Sequence, residues 1–91
     1  MSERKLKKKT VYVYQYNGYN GEYAQRRILL WRCTLIGANG GKKFGGSWMS
    51  EGHGNEQKHY AEKDAAQWAE FLGWPVVDLG RAEDFDDAPR G

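Results

Sequence analysis

Lysines and arginines, the side chains best suited to contact phosphate, are concentrated in the first half of the chain. Residues 1–43 contain ten of them and two acidic residues, whereas residues 44–91 contain four of them and ten acidic residues. The chain is therefore a charge dipole, although its formal net charge is only +2. A basic half is typical of proteins that bind polyanions, and an acidic tail often shields such a surface or meets a basic partner. The alternative is that these charges serve solubility alone.

The candidate nucleic-acid contacts fall into four groups along the sequence: an arm before the first strand, a stripe of tyrosines within it, basic pairs at the starts of two further strands, and one lysine at a helix start. They are Lys5, Lys7, Lys8, Lys9, Tyr12, Tyr14, Tyr16, Arg26, Arg27, Lys42, Lys43 and Lys58. The arm and the two strand starts are expected to approach one another and to carry most of the affinity. Acidic neighbours around Lys58 predict a smaller role for the helix start. An exposed tyrosine face would suit stacking on bases, or contact with a protein partner.

Hydrophobic periodicity predicts the elements that position these residues. Val11 and Val13 alternate with the tyrosines, which indicates a strand over residues 10–17. The alternation of Leu29, Trp31, Cys33 and Leu35 predicts a second strand over 26–36 that directs these side chains to the core. A third strand is predicted over 42–49. Short connections between the three favour antiparallel pairing.

A helix is predicted over residues 56–72. Asn55 can cap its first turn, Gly73 ends it, and Pro75 prevents it from resuming. Trp68 is expected to supply most of the buried area of the helix. The apolar stripe that would face the sheet consists of Ala61, Ala65, Trp68, Ala69 and Leu72.

These elements predict an α+β fold in which a three-stranded antiparallel sheet packs against one C-terminal helix. A chain of 91 residues with 40% hydrophobic residues supports one small domain. We place that domain at residues 10–77, between a flexible basic arm at 1–9 and a flexible acidic tail at 78–91. Trp74, Val76 and Val77 are expected to fold back as a lid or a short edge strand.

The turn and the helix carry a resemblance to a known family. Gly52-His53-Gly54 precedes a helix that reads Lys58-His59-x-Ala61 and continues with the pair Ala65-Ala66. Over residues 12–72 this pattern resembles a double-stranded RNA-binding domain without its first helix, which implies duplex RNA binding. AP2-type and integrase-arm DNA-binding domains share the order strand, strand, strand, helix, and that resemblance implies DNA binding from the sheet. The sequence does not choose between the two.

The sequence offers no arrangement typical of an enzyme. Ser47, Ser50 and His53 are not ordered as nucleophile, base and orienting group. Cys33 with two histidines does not complete a metal site, and the glycines around Lys42 lack the spacing of a phosphate-binding loop. We therefore expect no catalytic activity, no cofactor, no metal and no small-molecule substrate.

Two functions remain open at this stage. The first is a small protein that binds duplex RNA or DNA through the basic arm and the aromatic sheet face. The second is a compact protein, of the kind that phages and mobile elements encode, that binds and inhibits a host protein or a defence complex. A single cysteine and the absence of any apolar run near roughly 20 residues predict a cytoplasmic protein without a membrane partner.

Overall fold

A computed structural model describes residues 6–19, 27–37 and 49–86 of the chain. These residues form four strands, one α-helix and one 3-10 helix. Their bounds are β1 Thr10–Tyr19, β2 Arg27–Ile36, β3 Met49–Glu51, α1 Lys58–Leu72, β4 Val76–Arg81 and the 3-10 helix Glu83–Phe85. The strands make one sheet in the order β3-β2-β1-β4.

The predicted antiparallel strands and the helix that follows them are confirmed, but the helix begins at Lys58 and Asn55 pairs with Trp31 instead of capping it. β1 and β2 pair antiparallel over their full lengths, with Thr10 opposite Ile36 and Tyr19 opposite Arg27. β3 pairs antiparallel with the last residues of β2. Residues 42–48 of the predicted third strand lie outside the described residues. The α+β class inferred from periodicity is therefore correct.

A fourth strand, Val76–Arg81, forms at the sheet edge where the sequence predicted a lid or a short edge strand, and it adds to the three predicted strands. Gly73 ends α1 in the left-handed conformation, with φ of 71°, and its amide donates to the Ala69 carbonyl at 2.8 Å. The chain then returns as β4 and pairs parallel with β1, with Val76 beside Val11. A flexible acidic tail was predicted to begin at residue 78. That prediction is wrong for residues 78–86, because β4 continues to Arg81 and Phe85 is buried. Residues 87–91 lie outside the described part of the chain.

The helix covers the valine face of the sheet. Ala61 and Ala65 are fully buried, and their small side chains let the helix axis lie close to the strands. Trp68 lies on the flank of this contact and is 43% exposed, so the expectation that it supplies most of the buried area is wrong. The core on this side comprises Val11, Val13, Cys33, Leu35, Ala61 and Ala65, with Trp31, Ala69, Leu72 and Trp74 packed against it.

The tyrosine face is covered by the end of the described chain. Phe85 stacks on the ring of Tyr14, with centroids 4.5 Å apart and an interplanar angle of 26°. The Ala82 amide donates to the Gln15 carbonyl at 2.8 Å and fixes the 3-10 helix across the sheet. Tyr12 and Tyr16 are each 4% exposed and Tyr14 is fully buried. The predicted open aromatic face is therefore a second core.

A polar network lies inside this second core. The Nε atom of Arg32 donates to the Tyr14 hydroxyl at 2.7 Å, and that hydroxyl lies 2.7 Å from Thr34 Oγ1. Because a guanidinium only donates, the Tyr14 oxygen accepts from Arg32 and its own proton is available to Thr34. The Arg32 guanidinium carbon also lies 4.0 Å from the centre of the Tyr16 ring. Within the described ranges, no buried side-chain nitrogen or oxygen lacks a hydrogen-bond partner.

Phe85 gives a direct test of the second core. Phe85→Ala removes a buried ring and is expected to lower the free energy of unfolding by about 3–5 kcal/mol. Phe71→Ala is the matched control, because Phe71 is 80% exposed and its loss is expected to change stability by less than about 0.5 kcal/mol. Urea denaturation at low chain concentration measures both. Equal effects of the two substitutions would show that Phe85 is not a core residue.

Candidate functional site

Three exposed lysines precede β1 on a backbone segment that is tied to the sheet. We call Lys7, Lys8 and Lys9 the lysine turn. The Lys7 amide donates to the Tyr12 hydroxyl at 2.7 Å, and the Lys9 amide donates to the Ile36 carbonyl at 2.6 Å. The Thr10 hydroxyl donates to the Lys8 carbonyl at 3.2 Å. The predicted flexible arm is thus fixed over residues 6–9, and Leu6 packs against the tyrosine-face core.

The lysine turn keeps its charges available. None of its three ammonium groups takes part in an ion pair within the ranges that the structure describes. Lys9 has a φ of 56°, a left-handed conformation that costs a residue with a Cβ about 1–2 kcal/mol. This backbone geometry turns the chain into β1 and leaves all three side chains in solvent. The turn is therefore a preorganised group of three positive charges.

Among the other basic contacts predicted on the arm and at the strand starts, Arg27 alone belongs to the described residues. The chain leaves β2 at Gly37 and rejoins the sheet at Met49, which pairs with Ile36 beside the lysine turn. Lys42 and Lys43 lie in the segment between these points, outside the described residues, as do Lys5 and Arg26. Arg27 pairs with Tyr19, at the opposite end of β1 and about 30 Å from Thr10. The arm and the start of β2 therefore do not approach one another as the sequence predicted.

Tyr12, Tyr14 and Tyr16 are not surface contacts. Their rings are buried in the second core, so they cannot stack on bases in this fold. The resemblance to AP2-type and integrase-arm domains implied that DNA binds to this sheet face. The tyrosines of this face are buried and are not open to DNA. Tyr12 has an indirect role, because its hydroxyl accepts the hydrogen bond that holds the lysine turn.

Lys58, at the start of α1, is held by an acidic partner. Its ammonium lies 2.7 Å from the Asp78 carboxylate and 4.8 Å from the centre of the Trp31 ring. The hydrogen bond to Asp78 raises the pKa of Lys58. The hydrogen bond from Lys58 and the amide of Gly80, at 2.8 Å, lower the pKa of Asp78. Lys58 is thus a weaker candidate for phosphate than the lysine turn.

The described acidic residues after β4 lie at the far end of β1. Asp86 accepts the Asn17 amide at 2.7 Å and forms two hydrogen bonds of 2.8 Å with the Arg81 guanidinium. β1 continues two residues beyond the predicted strand 10–17, to Tyr19, and Asn17 within it provides this anchoring amide. The ordered part of the acidic segment therefore stabilises the fold at one end and does not shield the lysine turn at the other.

Sequence reasoning missed two features. The alternation of the second strand places Arg32 on the face away from Trp31 and Cys33, but the sequence did not indicate that Arg32 bonds to Tyr14, which lies opposite it in the strand register. Trp68 and Phe71 form an exposed edge-to-face pair on α1, with centroids 6.2 Å apart. The exposure of Phe71 could have been predicted from the sequence. On a helix it lies outside the stripe formed by Ala61, Ala65 and Ala69, so its side chain points away from the sheet.

The described side chains do not assemble a metal site. No group of three or more histidine, cysteine, aspartate or glutamate residues within those ranges could hold an ion. Burial raises the pKa of the Cys33 thiol, and the charge of Asp64 raises it further. No helix among the described residues has the length and apolarity needed to cross a membrane.

Comparisons with known proteins identify no relative. No family model, no curated protein and no solved structure matches the chain.

The strained position in the lysine turn is testable by substitution. Asparagine adopts the left-handed conformation readily, so Lys9→Asn is expected to leave stability unchanged or to raise it slightly. Lys9→Val places a β-branched residue there and is expected to cost about 1–3 kcal/mol. Thermal denaturation followed by circular dichroism measures both. The same pair of substitutions at Lys8 is the control. An unchanged stability of Lys9→Val would contradict the left-handed geometry.

The Lys58–Asp78 pair predicts a defined pH dependence. The pKa of Asp78 is lowered in the folded chain, so the stabilisation is present above the unfolded value of about 3.9 and is lost as pH falls through the folded value. The pKa of Lys58 is raised, so the stabilisation persists below about 10.4 and is lost as pH rises through the folded value. Asp78→Asn should therefore be less stable than wild type at pH 7 and equally stable at strongly acidic pH.

Urea denaturation across this pH range measures the difference. Measured at low chain concentration, Glu70→Gln is the control, since Glu70 is exposed and makes no ion pair within the described ranges. A stability difference between wild type and Asp78→Asn that persists at low pH would rule out the charge of Asp78 as its source.

Proposed function

We propose that this chain is a small, non-enzymatic protein that binds nucleic acid through the phosphate backbone, with the lysine turn as its principal described contact. The observation that carries the proposal is the fixed turn with three exposed ammonium groups that no described carboxylate engages. Such a group releases counterions from the nucleic acid without first breaking internal ion pairs. Its ordered backbone also reduces the entropy lost on binding.

The fold indicates the kind of recognition. Phosphate contacts position a protein on nucleic acid but carry no direct sequence information. Because the tyrosine stripe is buried, the described surface offers no aromatic platform beside the lysine turn for unpaired bases. We therefore expect similar binding to duplex DNA and duplex RNA, with little sequence preference.

The competing function is a compact inhibitor of a host protein or defence complex. The observation that favours it is the exposed aromatic pair Trp68 and Phe71, because aromatic residues are enriched at protein interfaces. The two functions differ in one measurable property. Phosphate-driven binding weakens steeply with salt, and contact through an aromatic patch does not.

A salt titration of nucleic-acid binding tests the proposal. Three phosphate contacts on duplex DNA predict a log-log slope of about −2.7, which is about a 40-fold loss of affinity between 50 and 200 mM salt. Lys8→Gln should flatten the slope by about 0.9, and the triple change of Lys7, Lys8 and Lys9 to Gln should remove most of it. Fluorescence anisotropy with labelled duplex DNA, duplex RNA and single strands provides the measurement.

Lys58→Gln is the matched control, since it removes the same charge from a lysine already paired with Asp78. It should leave the slope unchanged, and circular dichroism should show that all variants are folded. If the wild type binds none of the probes, or the triple variant binds as the wild type does, the proposal fails and the inhibitor function is favoured. If Lys58→Gln alone abolishes duplex RNA binding, the helix start is the contact surface.

A further inference from the structure

The outer face of α1 carries large apolar side chains that the sheet does not cover. Tyr60 is 49% exposed, Trp68 is 43% exposed and Phe71 is 80% exposed. With Gln67, the Trp68–Phe71 pair lines an open groove of about 370 Å³. Tyr60, Gln67 and Phe71 follow one another along a single line of the helix surface, at spacings of seven and four residues. Large aromatic side chains left exposed on one helix face are enriched at interaction sites.

Two opposite charges flank this aromatic line on one side. Lys63 and Glu70 are both exposed, and neither takes part in an ion pair within the described ranges. They lie seven residues apart, which places them on the same flank about 10.5 Å apart along the helix axis. That separation is too long for them to pair within one helix. Each is therefore available to a charge on a partner.

We propose that the outer face of α1 is the interface of a symmetric homodimer, in which the two α1 helices pack antiparallel. A two-fold axis near Gln67 would place Lys63 of each copy beside Glu70 of the other. Like flanks meet in an antiparallel pair, so both ion pairs form at once, and the aromatic line of one copy lies against that of the other. A parallel pair would bring opposite flanks together and leave both charges unmatched.

The surface is self-complementary in other respects as well. Asp64 lies on the opposite flank, beside Trp68, so the antiparallel arrangement does not bring it against Glu70 of the second copy. Antiparallel helices also align their dipoles favourably. One 15-residue helix from each copy buries less than the roughly 1,600 Å² of a standard interface, so the dimer should dissociate on dilution. The lysine turn lies outside this interface, and the inference does not depend on the proposed function.

Sedimentation velocity over a range of concentrations tests the dimer. The wild type should shift from the monomer mass of 10.4 kDa towards twice that value as concentration rises. Phe71→Ser should raise the dissociation constant at least tenfold, because it removes the most exposed ring of the line. Lys63→Glu and Glu70→Lys should each raise it about fivefold, by replacing attraction with repulsion in two symmetric contacts.

The charge exchange separates this geometry from general stickiness. Lys63→Glu combined with Glu70→Lys restores both ion pairs, so the double variant should return to within about twofold of wild type. Glu62→Lys is the matched control, since Glu62 lines the groove between α1 and β4 and lies away from the interface. A folded wild type that stays at 10.4 kDa at every concentration would overturn the proposal and assign the face to a different protein. A double variant no tighter than the single variants would exclude the antiparallel pairing.

Discussion

The structure depends on the burial of β1 on every side. β1 is hydrogen-bonded to β2 along one edge and to β4 along the other. Its valines lie under α1, and its tyrosines lie under the 3-10 helix. The segments that pair with and pack against β1 are distant from it in sequence, and β4 and Phe85 lie more than 60 residues further along the chain. The end of the described chain is therefore as much a part of the core as the helix, although its composition is that of an acidic tail.

The direction of β1 then arranges the charges in space. Its first residues hold the lysine turn, through the hydroxyls of Thr10 and Tyr12. Its last residues hold the acidic segment, through the Asn17 amide and the Asp86 carboxylate. The lysine turn and the acidic residues 83–86 are thus held towards opposite ends of one strand. Opposite charges that far apart are screened from one another at physiological salt, so the lysine turn keeps its field.

The sequence predicted those elements whose pattern reports directly on burial. Alternating side chains located β1 and β2, and small residues with Gly73 located α1. The sequence could not show that the tyrosine face is closed. Tyr14 is covered by Phe85, which lies in a segment whose acidic composition predicts a flexible tail. The charges of Lys7, Lys8 and Lys9 predict a polyanion contact, but the sequence does not show that the turn is fixed. That rigidity comes from the hydrogen bond between the Lys7 amide and the Tyr12 hydroxyl. Gly54 was read as part of a family motif, but a Cβ there would overlap the Tyr16 hydroxyl, which gives a steric reason for glycine.

The parallel pairing of β1 with β4 has a consequence for synthesis in the cell. Val11 emerges from the ribosome long before its partner Val76, so the nascent β1 lacks one paired edge and the cover of Tyr14 until β4 and Phe85 have been made. An alternating Val and Tyr segment in that state is prone to intermolecular strand pairing. Lysines placed directly ahead of such a segment oppose strand pairing between nascent chains, because their like charges repel. In the folded protein the same three lysines form the turn that leads into β1.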